Sequence, residues 1–160
     1  MCGIVGYVGT ENSLEVVMSG LERLEYRGYD SAGVSYINKN HEMITQKKEG
    51  RLTNLENVLN LKDAGDVAIG HTRWATHGKV STDNSHPHIS ESFSLVHNGI
   101  IENAVDLRNK FISGDIVFKS ETDSEVFVKL IESEIQSGTE IREAILRSFE
   151  KIEGNSAFVI

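Results

Sequence analysis

The second residue of the chain is a cysteine, and the chain has no other. If Met1 is removed, Cys2 carries a thiol and a free α-amine on one residue. The amine has a reference pKa of ~7.7–8.0 and the thiol one of ~8.5, so a partly neutral amine can take the thiol proton, directly or through one water. Such a residue is a nucleophile that needs no triad histidine. The alternative is a small buried hydrophobe in a first strand.

Two other stretches hold polar side chains between glycines. One is Gly70-His71-Thr72-Arg73-Trp74-Ala75-Thr76-His77-Gly78, the other Val96-His97-Asn98-Gly99-Ile100-Ile101-Glu102-Asn103. Both follow strand-like runs, where α/β folds place ligands. Asn98-Gly99 is a type I′ hairpin turn on dipeptide grounds. It is also a candidate oxyanion hole, with a side-chain amide and a backbone N–H aimed at one oxygen. Arg73 is either a surface cation or a bidentate carboxylate clamp. Trp74, the only tryptophan, is either core or a lid over a polar loop. Asp123 opens a helix, where it either complements the dipole or grips a ligand ammonium. Five of the six histidines lie between His71 and His97. His86-Pro87-His88 has no carboxylate or cysteine partner at metal-ligand spacing, so no metal is expected.

The elements that must position these residues alternate between strands and helices. Ile4 to Val8 reads as a strand. Leu14, Val17, Leu21 and Leu24 recur at helical spacing behind Asn12 or Ser13 as a cap, with Gly28 as a stop. Ala32 to Ile37 and Glu42 to Gln46 read as strands joined at Asn38-Lys39-Asn40. Leu52, Leu55, Val58 and Leu59 predict a short helix. Val67 to Ile69 and Phe93 to Val96 predict buried strands, and Asn103 to Phe111 is weakly helical. Thr122 and Glu125 fit a capping box for a helix carrying Val126, Phe127, Leu130, Ile131 and Ile135. Thr139 is expected to cap another, carrying Ile141, Ile145, Phe149 and Ile152. A last strand starts at Ala157.

Composition narrows the classes. The chain has 160 residues, 39% of them apolar and 25% charged, which suits one globular domain with a sizeable core. A net charge of −8 argues against a nucleic-acid binder. One cysteine excludes an intrachain disulfide and a Cys-rich zinc site, and suggests a reducing compartment. No apolar run reaches ~18 residues, and the N-terminus lacks the parts of a signal peptide. No membrane association and a cytoplasmic location are therefore expected. Phe158-Val159-Ile160 is an apolar strand signal at the last residues. It suggests that the chain is the first part of a longer protein.

Met1-Cys2-Gly3-Ile4-Val5-Gly6 resembles the start of the class II glutamine amidotransferases, which are N-terminal-nucleophile hydrolases. Longer blocks narrow the likeness: Leu24 to Gly33 (LEYRGYDSAG), His71 to Gly78, His86 to His88, His97 to Asn103 and Ser120 to Glu125. Together, in order and across essentially the whole chain, they resemble the glutamine–fructose-6-phosphate aminotransferase (glucosamine-6-phosphate synthase) family. The resemblance implies an α+β fold, a four-layer αββα sandwich of the N-terminal-nucleophile hydrolase type, incomplete at its C-terminus. Residues 1–160 would be the glutaminase domain without its C-terminal part and without the sugar-isomerase domains.

The resemblance also assigns roles. Cys2 matches the nucleophile, and Asn98 with the Gly99 backbone matches the oxyanion hole. Arg73 matches the residue that binds the glutamine α-carboxylate, with Thr76 and His77 beside it, and Asp123 matches the residue that binds the α-ammonium. Trp74 matches the gate of the ammonia passage. Arg27 and Gly28 match a loop folding near the nucleophile, and His86 lies in a matching loop. The implied activity is hydrolysis of L-glutamine to glutamate and ammonia through a Cys2 thioester. No cofactor is implied, and family members are often dimeric. Fructose-6-phosphate would be met only through isomerase domains outside this chain. An amidotransferase serving another acceptor and a catalytically silent glutamine-binding fragment remain as alternatives.

Overall fold

The computed structural model describes residues 2–74 and 79–160. The first sheet is antiparallel, in the order β1-β4-β2-β3. It consists of β1 (Gly3–Val8), β2 (Ser31–Asn38), β3 (Met43–Glu49) and β4 (Ala64–Arg73). The expected hairpin between β2 and β3 is present. The Asn38 side-chain oxygen closes it by accepting the N–H groups of Asn40 and Glu42, each at 2.9 Å, the local bonding that makes Asn a turn residue. Val67, expected to be buried, is exposed. It lies opposite Val8, also exposed, at the end of the β1–β4 ladder.

Helix α1 (Ser13–Leu24) lies across this sheet. Asn12 caps it, accepting the N–H groups of Leu14 and Glu15 at 3.1 Å, which satisfies two donors that have no partner within the helix. Leu14, Val17, Met18 and Leu21 form its buried stripe and pack on Ala32, Val34 and Ala68. A Cβ at Gly70 would come within 2.6 Å of Val17 Cγ1 and 2.8 Å of Leu21 Cδ1, so the glycine lets the helix sit directly on β4. Each fully buried aliphatic side chain here contributes roughly 1.5–3 kcal/mol. Helix α2 (Leu52–Glu56) is shorter than expected. Val58 and Leu59 follow it in turns closed on Leu55 and Glu56, and Val58 is exposed.

The second sheet has the order β5-β6-β7, again antiparallel: β5 (His88–Ile89), β6 (Ser94–Gly99) and β7 (Ser156–Val159). Its outer face is covered by α4 (Asp123–Gln136) and α5 (Ile141–Phe149), with α3 (Ala104–Ile112) beside α4. Val126, Phe127, Leu130 and Ile131 of α4 bury against Leu95 and Ala144.

Two expected caps are not formed. Thr122 stands at the start of α4, but its hydroxyl is 2.9 Å from His88 Nε2 and 2.9 Å from Ser120 Oγ. Glu125 instead closes the preceding loop, accepting from the N–H groups of Lys119 and Ser120 and from the Ser120 hydroxyl. Glu140, not Thr139, caps α5 by accepting the Arg142 N–H at 3.0 Å. Ile152 lies beyond α5 and packs on the same core.

The layers therefore run α1, first sheet, second sheet, then α4 and α5, the αββα order expected from the resemblance. Where β4 faces β6 the two sheets enclose polar side chains, and these support the site.

Candidate active site

Four chain segments converge at one end of the sandwich. Cys2 precedes β1, Arg73 and Trp74 end and follow β4, Asn98 and Gly99 end β6, and Asp123 opens α4. The β1–β4 register pairs Gly3 with Thr72, which brings Cys2 alongside Arg73 and Trp74. The Trp74 N–H donates to Cys2 Sγ at 3.2 Å. Asn98 Nδ2 donates to the Cys2 carbonyl at 3.1 Å. A cleft of about 480 Å³ opens here, lined by Cys2, Arg27, Asn98, Gly99, Ile100, Glu102 and Asn155. A smaller recess of about 40 Å³ adjoins it, with Cys2, Arg73, Trp74, Gly99 and Asp123 in its walls.

Local packing explains the placement of each group. A Cβ at Gly28 would fall 2.7 Å from the Arg73 carbonyl carbon and 2.9 Å from the Trp74 nitrogen. Only glycine lets the Arg27-Gly28 loop lie against that backbone, and the Asp30 N–H ties it there through the Arg73 carbonyl at 3.0 Å. Asn98-Gly99 is not a two-residue hairpin turn. Both residues remain in the ladder, opposite Ala157 and Ser156. Gly99 has φ +151°, and a Cβ there would meet Asn155 O at 2.3 Å, so both conformation and space demand glycine.

Arg73 is 4% exposed and donates through Nη1 to the Lys79 carbonyl at 3.0 Å. Burial disfavours its charge, while Cys2, Asp30 and Asp123 lie close enough to favour it. It is not a surface cation. Asp123 accepts the Ile101 N–H at 2.8 Å through Oδ2, which ties the loop after β6 to the head of α4. Trp74 is not core: it is 43% exposed, with its ring edge-on to Tyr29 at 5.5 Å between centroids.

Beneath the site lie four buried histidines. His71 and His86 stack at 4.2 Å, and His88 meets His86 edge-on at 4.7 Å. Burial holds the His71 pKa down at about 4. Burial, reinforced by Arg73, also holds His86 and His88 well below the ordinary histidine value, and burial lowers His97 against the pull of Asp123. All four are therefore neutral near pH 7. Their ring nitrogens bond to Ser124, Ser156, Thr122 and Asn98. Among the described residues no group of His, Cys, Asp or Glu side chains is arranged to hold a metal ion.

Of the residues expected at the site, Cys2, Arg27, Arg73, Trp74, Asn98, Gly99 and Asp123 line its two cavities. Gly28 packs behind them, and His86 forms a buried wall of the recess. Thr76 and His77 lie outside the described residues. Sequence reasoning missed Asn155 and Glu102, which line the larger cleft, and Ser124, which bridges His86 and His97. Asn155 sits in a Gly-Asn-Ser turn signal just before a strand, the same kind of position as Asn98, and that pattern could have drawn attention to it.

The arrangement presents a thiol, a buried cation, a carboxylate and two amide-type donors around one cleft and its adjoining recess. Residues 71–160 match the family model described as a glutamine amidotransferase domain. The glutamine–fructose-6-phosphate aminotransferase [isomerizing] of Lactococcus lactis is 47% identical over the whole chain, which covers 27% of that protein. The protein of the same name from Aquifex aeolicus shows the same identity and coverage. The one from Clostridium tetani is 49% identical, over 98% of the chain and 26% of its own length. The chain thus spans about a quarter of the length of the curated relatives it matches. Among solved structures, the glutamine phosphoribosylpyrophosphate amidotransferase of B. subtilis, complexed with ADP and GMP, superposes with a TM-score of 0.85 at 28% identity. That match covers 99% of this chain and 34% of the other. A structure described as the allosteric regulatory enzyme of purine biosynthesis gives 0.86, with the same identity and coverage.

Proposed function

The chain belongs to the glutamine amidotransferase family, and on that premise we propose that it hydrolyses the side-chain amide of L-glutamine with Cys2 as nucleophile. The observation that carries the proposal is the convergence on Cys2 of the Trp74 N–H, donating to Sγ, and the Asn98 amide, donating to the Cys2 carbonyl, where the cleft and its adjoining recess meet.

Free glutamine is a zwitterion with a neutral amide at its far end. Arg73 takes the α-carboxylate, because a planar guanidinium matches a carboxylate fork. Asp123 takes the α-ammonium. Trp74 gates the way out for ammonia. With Met1 removed, the Cys2 amine accepts the thiol proton and the thiolate attacks the amide carbon. The C–S bond forms as the carbonyl π-pair moves to oxygen. Asn98 Nδ2 and the Gly99 N–H stabilise that oxyanion, each donor contributing about 3 kcal/mol. The protonated amine returns its proton to the leaving nitrogen, the C–N bond breaks, and ammonia departs. Water, deprotonated by the same amine, then attacks the γ-glutamyl thioester. The C–S bond breaks, glutamate leaves, and the thiol is restored.

The acceptor for ammonia is fructose-6-phosphate, bound by a domain outside this chain. In support, the relatives that carry this activity in their names are 43–49% identical to the chain over the matched segment, against 28% for the two solved structures. The chemistry needs a reduced thiol, which supports a cytoplasmic setting. Among the described residues no helix is long and apolar enough to cross a membrane.

The test is glutamate release from L-glutamine by the purified chain, with Cys2→Ala as control. Release that the control abolishes supports the proposal. Equal release from both overturns it, as does none from the parent chain.

A further inference from the structure

We propose that His71, a residue with no place in either cavity wall, positions the oxyanion-stabilising amide of Asn98 by fixing which way round that amide stands. The proposal deepens the glutaminase mechanism and rests on it.

An asparagine amide has an acceptor end and a donor end of nearly equal shape, so its direction is set by its neighbours. Here the neighbours are polarised. His71 is 1% exposed, and its Nε2 lies 3.0 Å from Asn98 Oδ1 and 3.1 Å from the His97 backbone carbonyl. A carbonyl oxygen can only accept. The His71 proton therefore sits on Nε2, and this one N–H is shared between the carbonyl and Asn98 Oδ1. His71 Nδ1 has no hydrogen-bond partner among the described residues. A buried bare lone pair is tolerated more readily than a buried orphan N–H, which favours the same tautomer.

At its other end, Asn98 Nδ2 donates to the Cys2 carbonyl at 3.1 Å. Reversing the amide would set its NH₂ against the His71 N–H and its oxygen against the Cys2 carbonyl, so both contacts would become repulsive. The order of control runs from the His97 carbonyl to the His71 tautomer, then to the Asn98 direction, and so to a donor on the Cys2 side. The sheets place the pieces. His71 projects from β4 in register with Gly33, and Asn98 projects from β6 across the gap between sheets. The His71 ring is further held by stacking on His86 at 4.2 Å. His71 does not touch substrate in this scheme. It is a positioning residue.

The experiment is steady-state glutaminase kinetics on His71→Phe, His71→Gln, Asn98→Ala and the double variant His71→Phe/Asn98→Ala. Phe keeps a stackable ring and removes the donor, whereas Gln places an amide N–H near the position of Nε2. Losing one oxyanion donor costs ~10²–10³ in kcat. His71→Phe is therefore expected to lose at least ~10-fold in kcat with KM little changed, and His71→Gln to recover most of it. In the Asn98→Ala background the Phe substitution is expected to add nothing, because no amide is left to direct. A folded His71→Phe with full kcat, or a loss that multiplies with that of Asn98→Ala, overturns the proposal. If His71→Phe does not fold, His71→Asn replaces it, since Asn is polar but too short to reach both acceptors. Equal kcat in His71→Asn and His71→Gln then overturns the proposal. A parent chain that releases no glutamate overturns both this proposal and the mechanism beneath it, whereas an active parent with an indifferent His71 overturns this one alone.

Discussion

Gly28→Ala adds one methyl group where the Arg27-Gly28 loop lies against the end of β4. The new Cβ would stand 2.7 Å from the Arg73 carbonyl carbon, 2.9 Å from its oxygen and 2.9 Å from the Trp74 nitrogen. Carbon atoms in good contact stand at about 3.5–4.0 Å, so the two backbones must part by roughly 0.8 Å. All three neighbours are main chain, and none can swing aside as a flexible side chain would. The φ of Gly28 is −172°, extended backbone open to any residue, so the demand is for space alone. The Trp74 nitrogen that must move is the one donating to Cys2 Sγ at 3.2 Å. Overpacking of this kind costs roughly 1–3 kcal/mol. For a chain of this size that lowers Tm by roughly 2–12 °C. A displacement near 1 Å at reacting groups costs up to ~10²-fold in rate, so kcat/KM for glutamine should fall roughly 10- to 100-fold. Glutamate release and a melting curve on the same preparation read both effects. Unchanged Tm together with unchanged kcat/KM would refute the steric reasoning.

Gly99→Ala should be more severe, because φ +151° and a Cβ contact of 2.3 Å with Asn155 O act together. A loss of roughly 1–3 kcal/mol from backbone strain alone is expected in a urea titration, along with loss of glutaminase activity in the protein that remains folded. Asp123→Asn keeps an acceptor for the Ile101 N–H and removes the charge that would meet the glutamine ammonium. KM should rise about 10- to 100-fold with kcat little changed, a charged hydrogen bond being worth about 1.5–3 kcal/mol, and initial rates against glutamine concentration measure it. Stability should depend on pH through the buried histidines. His71 has a folded pKa of about 4 against 6.5 in the open chain. The unfolded state therefore binds more protons between those values. The contribution is complete above pH 6.5 and is lost as pH falls toward 4, about 3 kcal/mol for His71 alone. His86, His88 and His97 are shifted in the same direction. Tm measured from pH 7.5 down to 4.5 should drop steeply below pH 6.5, and a flat profile would contradict neutral burial of these rings.

Much of the frame was legible because the relevant signals are local. Asn12 caps α1, and Asn38 closes the β2–β3 hairpin through its own side-chain oxygen. Cys2, Arg73, Asn98 and Asp123 were legible as candidates for chemistry, each beside a purely structural alternative that local sequence does not decide. What failed locally was decided at long range. Thr122 and Glu125 have capping-box spacing, yet His88, thirty-four residues away, takes the Thr122 hydroxyl and the preceding loop takes Glu125. The two-residue strand His88–Ile89 is too short to show a period. Asn98-Gly99 has the dipeptide of a tight turn, yet pairing with Ser156 and Ala157 keeps it in a strand. His71 was unreadable as a partner of Asn98, because that contact exists only where two sheets meet.

The central proposal, a working nucleophile at Cys2, is tested most directly by the intact mass of the purified chain before and after 6-diazo-5-oxo-norleucine, a glutamine-like alkylating agent. The expected result is a chain lacking the mass of Met1 that gains a single adduct, located on Cys2 and not formed by Cys2→Ala. A chain that keeps Met1, or one that loses it and gains no adduct, would contradict an assembled N-terminal-cysteine glutaminase site.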